Sequence, residues 1–199
     1  MRWFTLLLAL VGFAASASAQ TVASNPWDRC TTVQVFGGAA TASPNTTGTF
    51  GTAIGWELTH RAEIEGTAAW FAQRRDTQAF AADLKLLVNL TRPATIVPYL
   101  GGGAGLYRGT FDAARSDVPD FYRRRMTGAT PISRLSYTDP TAVITGGAHV
   151  YFARHFSIKP EATVRFVMDQ ADSYTVTAVT FAIVYHVEDH LSANRVPER

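Results

Sequence analysis

Apolar and polar residues alternate with a period of two through much of the chain, the spacing of strands with two unlike faces. Over 156–168, Phe156, Ile158, Pro160, Ala162, Val164, Phe166 and Met168 share one face, and Ser157, Lys159, Glu161, Thr163 and Arg165 share the other. Over 77–91, Phe80, Ala82, Leu84, Leu86, Val88 and Leu90 oppose Ala79, Ala81, Asp83, Lys85, Leu87 and Asn89. Over 61–73, Ala62, Ile64, Gly66, Ala68 and Trp70 oppose Arg61, Glu63, Glu65, Thr67 and Phe71. A helix would gather its apolar residues at three- and four-residue steps, and these segments do not. Carried along the chain, the pattern predicts eight strands, at 32–40, 48–59, 61–73, 77–91, 95–110, 140–152, 156–168 and 174–187. The connections at 59–61, 90–95 and 153–155 read as short turns. Those at 40–48, 73–77, 111–139 and 169–173 include the long links. An even strand count with short turns on one side predicts an antiparallel up-and-down barrel that leaves no open sheet edge. It places both termini on the periplasmic side.

Alternation alone does not say which face is outside. A soluble lipocalin-like barrel would turn its apolar face inward around a ligand. The polar faces point the other way. Beyond residue 19 there are two lysines, Lys85 and Lys159, both beside carboxylates on those faces, whereas a water-facing surface is rich in Lys and Glu. Gly101, Gly103, Gly105 and Gly147 also fall there, where glycine makes room in a narrow lumen but would only weaken a strand facing water. Aromatics collect toward the ends of the apolar faces: Trp56, Phe152, Phe156 and Tyr185 near the short turns, Phe50 and Trp70 near the other links. Two such girdles mark the interfaces of a membrane barrel. The expected fold class is therefore all-β, an eight-stranded antiparallel up-and-down transmembrane β-barrel over 32–187, in the bacterial outer membrane.

Composition agrees. Apolar residues make up 47% and charged residues 17%, against about 25% charged in ordinary soluble domains. A formal charge of +2 gives no argument for nucleic acid. Arg2, the apolar run from Trp3 to Ala14 and the small residues Ala17-Ser18-Ala19 predict a cleaved signal peptide over 1–19. The run falls short of the about 20 residues that span a bilayer. A periplasmic segment over 20–31 and a polar C-terminal tail over 188–199 flank the barrel. Cys30 is the one cysteine, so no internal disulfide is expected. It reads as a free thiol, with an intermolecular link as the alternative. No Cys/His cluster has zinc spacing along the sequence, and neither a metal nor a cofactor is expected.

The stretch Pro98-Tyr99-Leu100-Gly101-Gly102-Gly103-Ala104-Gly105 resembles the PYxGxGxG strand of OmpA-like and opacity-porin-like outer-membrane barrels. Phe156-Ser157-Ile158-Lys159-Pro160-Glu161-Ala162 resembles their seventh strand, a hydrophobic residue followed at a short interval by Pro-Glu. The resemblance covers most of the chain after residue 19 through short, degenerate motifs. It implies an eight-stranded barrel with a polar, side-chain-filled interior. Such barrels commonly end on an aromatic residue, whereas here Tyr185-His186-Val187 is followed by Glu188–Arg199. There is no room for a peptidoglycan-binding domain, so that family role is not carried over.

Little in the chain reads as catalytic. His155-Phe156-Ser157 resembles the His-x-Ser pair of small outer-membrane lipid A deacylases. A deacylase needs a serine activated by histidine and an orienting group near the outer leaflet, and the expected topology puts His155 in a periplasmic turn. No enzyme is expected. The glycine run at 101–105 lacks the Gly-Lys-Ser/Thr ending of a phosphate loop. Arg123, Arg124 and Arg125, in the longest loop, are a candidate lipopolysaccharide contact through charge-assisted hydrogen bonds to phosphate. They also read simply as solvated loop charges beside Asp117 and Asp120.

The inward faces carry the more specific pattern. Glu57, Glu63, Glu65, Asp83 and Glu161 are expected to face Lys85, Lys159 and Arg165 across the lumen as one charge network. Turn-based registers put Lys85 opposite Glu63 or Glu65, and Glu57 close to Glu63, a like-charge pair that cations must bridge. An eight-stranded lumen is just wide enough for its own side chains. The function expected is a small outer-membrane barrel with a structural or interaction role, meeting lipid, lipopolysaccharide and, as further candidates, other envelope proteins. A narrow channel is the alternative.

Overall fold

The computed structural model describes residues 30–42, 45–59, 61–74, 77–92, 94–111, 120–125, 135–153, 155–169 and 172–187. The expected signal peptide, nearly all of the 20–31 segment and the C-terminal tail lie outside these residues. Eight strands follow in chain order: β1 (Thr31–Ala42), β2 (Asn45–Thr59), β3 (Ala62–Arg74), β4 (Thr77–Asn89), β5 (Ile96–Phe111), β6 (Leu135–Ala153), β7 (Phe156–Asp169) and β8 (Asp172–Val187). A short helix, α1 (Asp120–Arg125), lies between β5 and β6. Every strand pairs antiparallel with its neighbour in sequence, and β1 pairs with β8, so the sheet closes without an edge.

All eight expected strands are present and the three short turns fall where expected, but the links read at 40–48, 73–77, 111–139 and 169–173 are shorter than the sequence suggests. β1 and β2 continue through the stretch read as a loop at 40–48, to the pair Ala42 and Asn45. β3 and β4 meet at Arg74 and Thr77, and β7 and β8 at Asp169 and Asp172. Ala40, Thr41 and Ala42 pair with Thr47, Thr46 and Asn45, and this cross-strand pairing holds them extended where their side chains give no alternation. On the side of the termini, residues 90–95 make the longest turn. The asymmetry between the two ends therefore rests on a single connection, 112–134, and not on every second one. β6 also starts at Leu135, five residues before the expected boundary, and pairs with β5 up to Phe111. At 16 and 19 residues these strands exceed the about 9–11 that cross a bilayer, so their hairpin stands beyond the hydrocarbon.

The barrel is apolar on the outside. Leu84, Leu86, Leu100, Ile144, Val179, Phe181 and Ile183 are exposed, at 48–62% of their surface. A patch this continuous in water would be an association site; around a closed barrel it is the lipid belt. Phe50 and Trp70 stack at 6.0 Å, and Trp70 meets Phe80 at 5.2 Å. Just beyond them the outward positions of β5 and β6 turn polar, with Arg108 opposite Thr138 and a hydroxyl contact of 2.9 Å between Thr110 and Ser136. At the other end Phe152, Phe156 and Tyr185 form a second aromatic cluster, with Phe156 and Tyr185 5.2 Å apart.

Introducing arginine on the outward face, by Leu86→Arg or Val164→Arg, is expected to cost about 2–4 kcal/mol near the bilayer midplane. Urea unfolding in lipid vesicles, followed by heat-modifiable gel migration, reads this out. Insertion and stability equal to the unmutated chain would mean that these faces do not meet lipid.

Candidate functional site in the lumen

The inward faces build three levels along the barrel axis. In the middle level the parity of β3, β4 and β7 delivers Glu65, Asp83, Lys85, Lys159, Glu161 and Arg165 to one cross-section. Lys85 lies directly opposite Glu65 in the ladder and pairs with it at 2.6 Å, while reaching Glu161 on β7 at 3.0 Å. Lys159 pairs with Glu65 and lies 3.5 Å from Glu161. Arg165 pairs with Asp83. Three carboxylates thus face three cations, and all six groups are buried or nearly so. Isolated, each ion would be costly in so confined a space; mutual pairing and hydrogen bonds remove most of that penalty. The bonds are present: Gln34 donates to Glu65, Thr67 to Glu65 at 3.1 Å, Thr163 to Glu161 at 3.0 Å and Thr141 to Asp83 at 3.4 Å. Tyr99 completes the set by donating to Glu161 at 2.7 Å.

Glycine gives these long side chains their space. At Gly103 a Cβ would stand 2.0 Å from the Leu84 carbonyl oxygen, the residue beside Lys85. At Gly147 it would stand 2.6 Å from the Tyr99 hydroxyl and so obstruct the Tyr99–Glu161 bond. A cavity of about 30 Å³ lies at this level, lined by Glu65, Asp83, Lys85, Lys159, Glu161 and Arg165 among others, the scale of a water molecule or so.

The level toward α1 is apolar. Phe71, Tyr107, Phe111, Val167 and Val176 point inward, and Phe121 and Tyr122 of α1 are buried among them. Tyr122 packs against Phe111 at 4.7 Å and Tyr137 at 5.3 Å. Arg125 anchors the helix. Its guanidinium donates to both oxygens of the buried Asp139 at 2.9 Å and lies 4.6 Å over the Tyr137 ring. The long loop therefore sends a helix into the barrel mouth. The sequence predicts one surface cluster of Arg123, Arg124 and Arg125; all three are exposed residues of α1, but Arg125 also reaches the buried Asp139. Asp120 lies 3.8 Å from Arg123, while Arg125 is bound to β6.

The level toward the termini gathers Cys30, Glu57, Glu63, His149, Ser157 and His186. Glu57 and Glu63 are cross-strand neighbours as expected, but the groups nearest them are mainly histidines and a threonine rather than lysine or arginine. Thr32 donates to Glu63 at 3.0 Å, His149 Nε2 lies 3.8 Å from Glu63, and His186 Nδ1 lies 4.0 Å from Glu57. Ser157 does not pair with His155. Its hydroxyl meets His186 Nε2 at 3.1 Å, and His155 instead contacts the His186 carbonyl at 3.3 Å. Ser157, His186 and Glu57 thus line up in the order of a hydrolytic triad. Ser157 and His186 are both fully buried, so a substrate carbonyl has no approach to the hydroxyl. The sequence does not by itself group His149, His186 and Cys30, although period-two parity from Val184 and Gly147 places both histidines inward.

No protein-family model and no curated protein matches the sequence. Solved structures match the fold. The N-terminal β-barrel domain of Pseudomonas aeruginosa OprF is 15% identical, with a TM-score of 0.52 over 77% of this chain and 97% of that one. Neisserial surface protein A is 10% identical, with a TM-score of 0.55 over 78% of this chain and 95% of that one. The outer membrane protein OprG from Pseudomonas aeruginosa is 11% identical, with a TM-score of 0.54 over 83% and 100%. At these identities the likeness is one of fold: the chain has the build of the small outer-membrane barrels, as the OmpA-like and opacity-porin-like resemblance implies.

Arg165→Ala, which strands Asp83 in the lumen, is expected to lower stability by about 3–5 kcal/mol. Arg125→Ala leaves Asp139 buried and unpaired, at about 1–3 kcal/mol. Arg123→Ala and Arg124→Ala should fall within about 0.5 kcal/mol of the parent. Urea midpoints of the four variants in lipid vesicles test this ranking, and four equal midpoints would dissolve the distinction between lumen network and loop.

Proposed function

We propose that this chain is a bacterial outer-membrane barrel with a structural or interaction role, carrying a permanently plugged lumen rather than a solute path. One observation carries the reading: three lumen cations and three carboxylates bond to one another across the barrel, around a cavity of about 30 Å³. That volume passes no hydrated solute. The apolar level above it, capped by Phe121 and Tyr122, adds a second barrier. With the inside shut, the surfaces left for function are the lipid belt and the outer rim. There Arg123 and Arg124 are exposed on α1 and suit the phosphates of lipopolysaccharide. Arg125 belongs to the plug. The buried state of Ser157 and His186 supports a non-enzymatic role.

Planar-bilayer recordings test the plug. The unmutated barrel is expected to insert, judged by heat-modifiable migration of the same preparation, and to give no steady conductance. A large, steady, ohmic conductance would overturn the reading and favour a narrow channel.

A further inference from the structure

Cys30, Glu57 and His186 come from three separate places: just ahead of β1, on β2 and on β8. They meet because the barrel closes. The Cys30 carbonyl accepts the Glu57 backbone N–H at 3.0 Å, and β1 pairs with β8 from Thr31 and Val187 onward. As a result the Cys30 Sγ lies 3.7 Å from His186 Nδ1, which lies 4.0 Å from Glu57 Oε1. One ligand atom from each residue falls within 4.8 Å of the other two.

We infer that these three side chains form a divalent transition-metal site, suited to Zn²⁺, which clips the barrel seam at the end that bears the termini. In tetrahedral zinc geometry a thiolate sulfur and an imidazole nitrogen stand about 3.6 Å apart, and a nitrogen and a carboxylate oxygen about 3.4 Å. The sulfur–nitrogen distance already matches, and the carboxylate must move in by about half an ångström or more to complete the set. The donor set is discriminating. One thiolate, one imidazole and one carboxylate suit zinc and its neighbours, whereas calcium and magnesium take oxygen ligands throughout. Charge balances as well. The thiol gives up its proton to solvent as the Sγ–metal bond forms, so one thiolate and one carboxylate offset the two positive charges of the ion.

The second ring nitrogen of His186 is already committed. Nε2 faces the Ser157 hydroxyl at 3.1 Å, and donation of Nε2–H to that oxygen leaves the Nδ1 lone pair aimed at Cys30 and Glu57. Metal-bound histidines are oriented in this way by a partner on the far nitrogen. Ser157 is thus a positioning residue, which gives its buried contact with His186 a purpose other than hydrolysis. A tetrahedral ion held by these three donors would take its fourth ligand from water. Because the chain has a single cysteine, no internal disulfide competes for the thiol.

The test uses the chain folded in detergent micelles, with Co²⁺ as the spectroscopic probe and Zn²⁺ as competitor. One equivalent of Co²⁺ should produce a thiolate-to-cobalt charge-transfer band that Zn²⁺ abolishes. Cys30→Ser, close in size to the parent, should remove the band. His186→Gln and Glu57→Gln should each weaken Zn²⁺ binding at least tenfold, and Ser157→Ala by about 10–100-fold. Zn²⁺ should also raise the temperature at which the folded band disappears on unboiled gels, for the parent and not for Cys30→Ser. Absence of the charge-transfer band in the unmutated protein overturns the site without recourse to any variant. So does a band, and a Zn²⁺ affinity, unchanged in folded His186→Gln, since the thiol would then be binding metal without its proposed partners.

Discussion

The structure depends on closure of a sheet whose inward charges balance only when every strand is in register. Lys85, Lys159 and Arg165 are answered by Glu65, Glu161 and Asp83, and these partners sit on β3, β4 and β7, not on one hairpin. A one-residue slip in any of these strands would send its charges to the lipid face and its leucines or valines to the lumen. The pairing pattern therefore does more than contribute energy. Removing one partner leaves a buried ion uncompensated, so the native register is separated from its neighbours by several such penalties at once.

The three levels of the lumen follow from that central layer. It occupies the cross-section with long, paired side chains, and the small residues of β5 make the space they need. Beyond it, toward the long loop, the inward positions turn apolar, so the only stable filling is more apolar surface; Phe121 and Tyr122 supply it from α1. Toward the termini the inward positions are histidine, glutamate, serine and cysteine, small or polar groups that leave donor atoms facing one another. Each level is closed by a different chemistry.

Much of this was legible in the residues. Period-two patterning gave all eight strands, and the scarce lysines, the glycines of the polar faces and the aromatic girdles told which face is outside. Turn-based registers put Lys85 opposite Glu63 or Glu65, and the β3–β4 pairing selects Glu65. Loop lengths were less legible: the Thr- and Ala-rich residues flanking 43–44 show no alternation, and only pairing shows that 40–42 and 45–48 are strand. The helix at 120–125 was invisible for another reason. Its six residues are too few for a periodic signal, and what holds it is the pairing of Arg125 with Asp139, a contact of tertiary structure. The grouping of Cys30, Glu57 and His186 was hidden in the same way, since Cys30 and His186 lie 156 residues apart and meet only across the seam.

The claim on which the account rests is that the central charges act as one coupled unit. A double-mutant cycle on Lys85→Met and Glu161→Gln, measured by urea unfolding in lipid vesicles, addresses it directly. The pair is 3.0 Å apart and shares Glu65, Lys159 and Tyr99 as neighbours. The account expects strong non-additivity, with the double variant more stable than the sum of the single losses implies by at least about 1 kcal/mol. Single losses that add to within about 0.5 kcal/mol would contradict it, and would make the lumen a set of independent, water-screened charges.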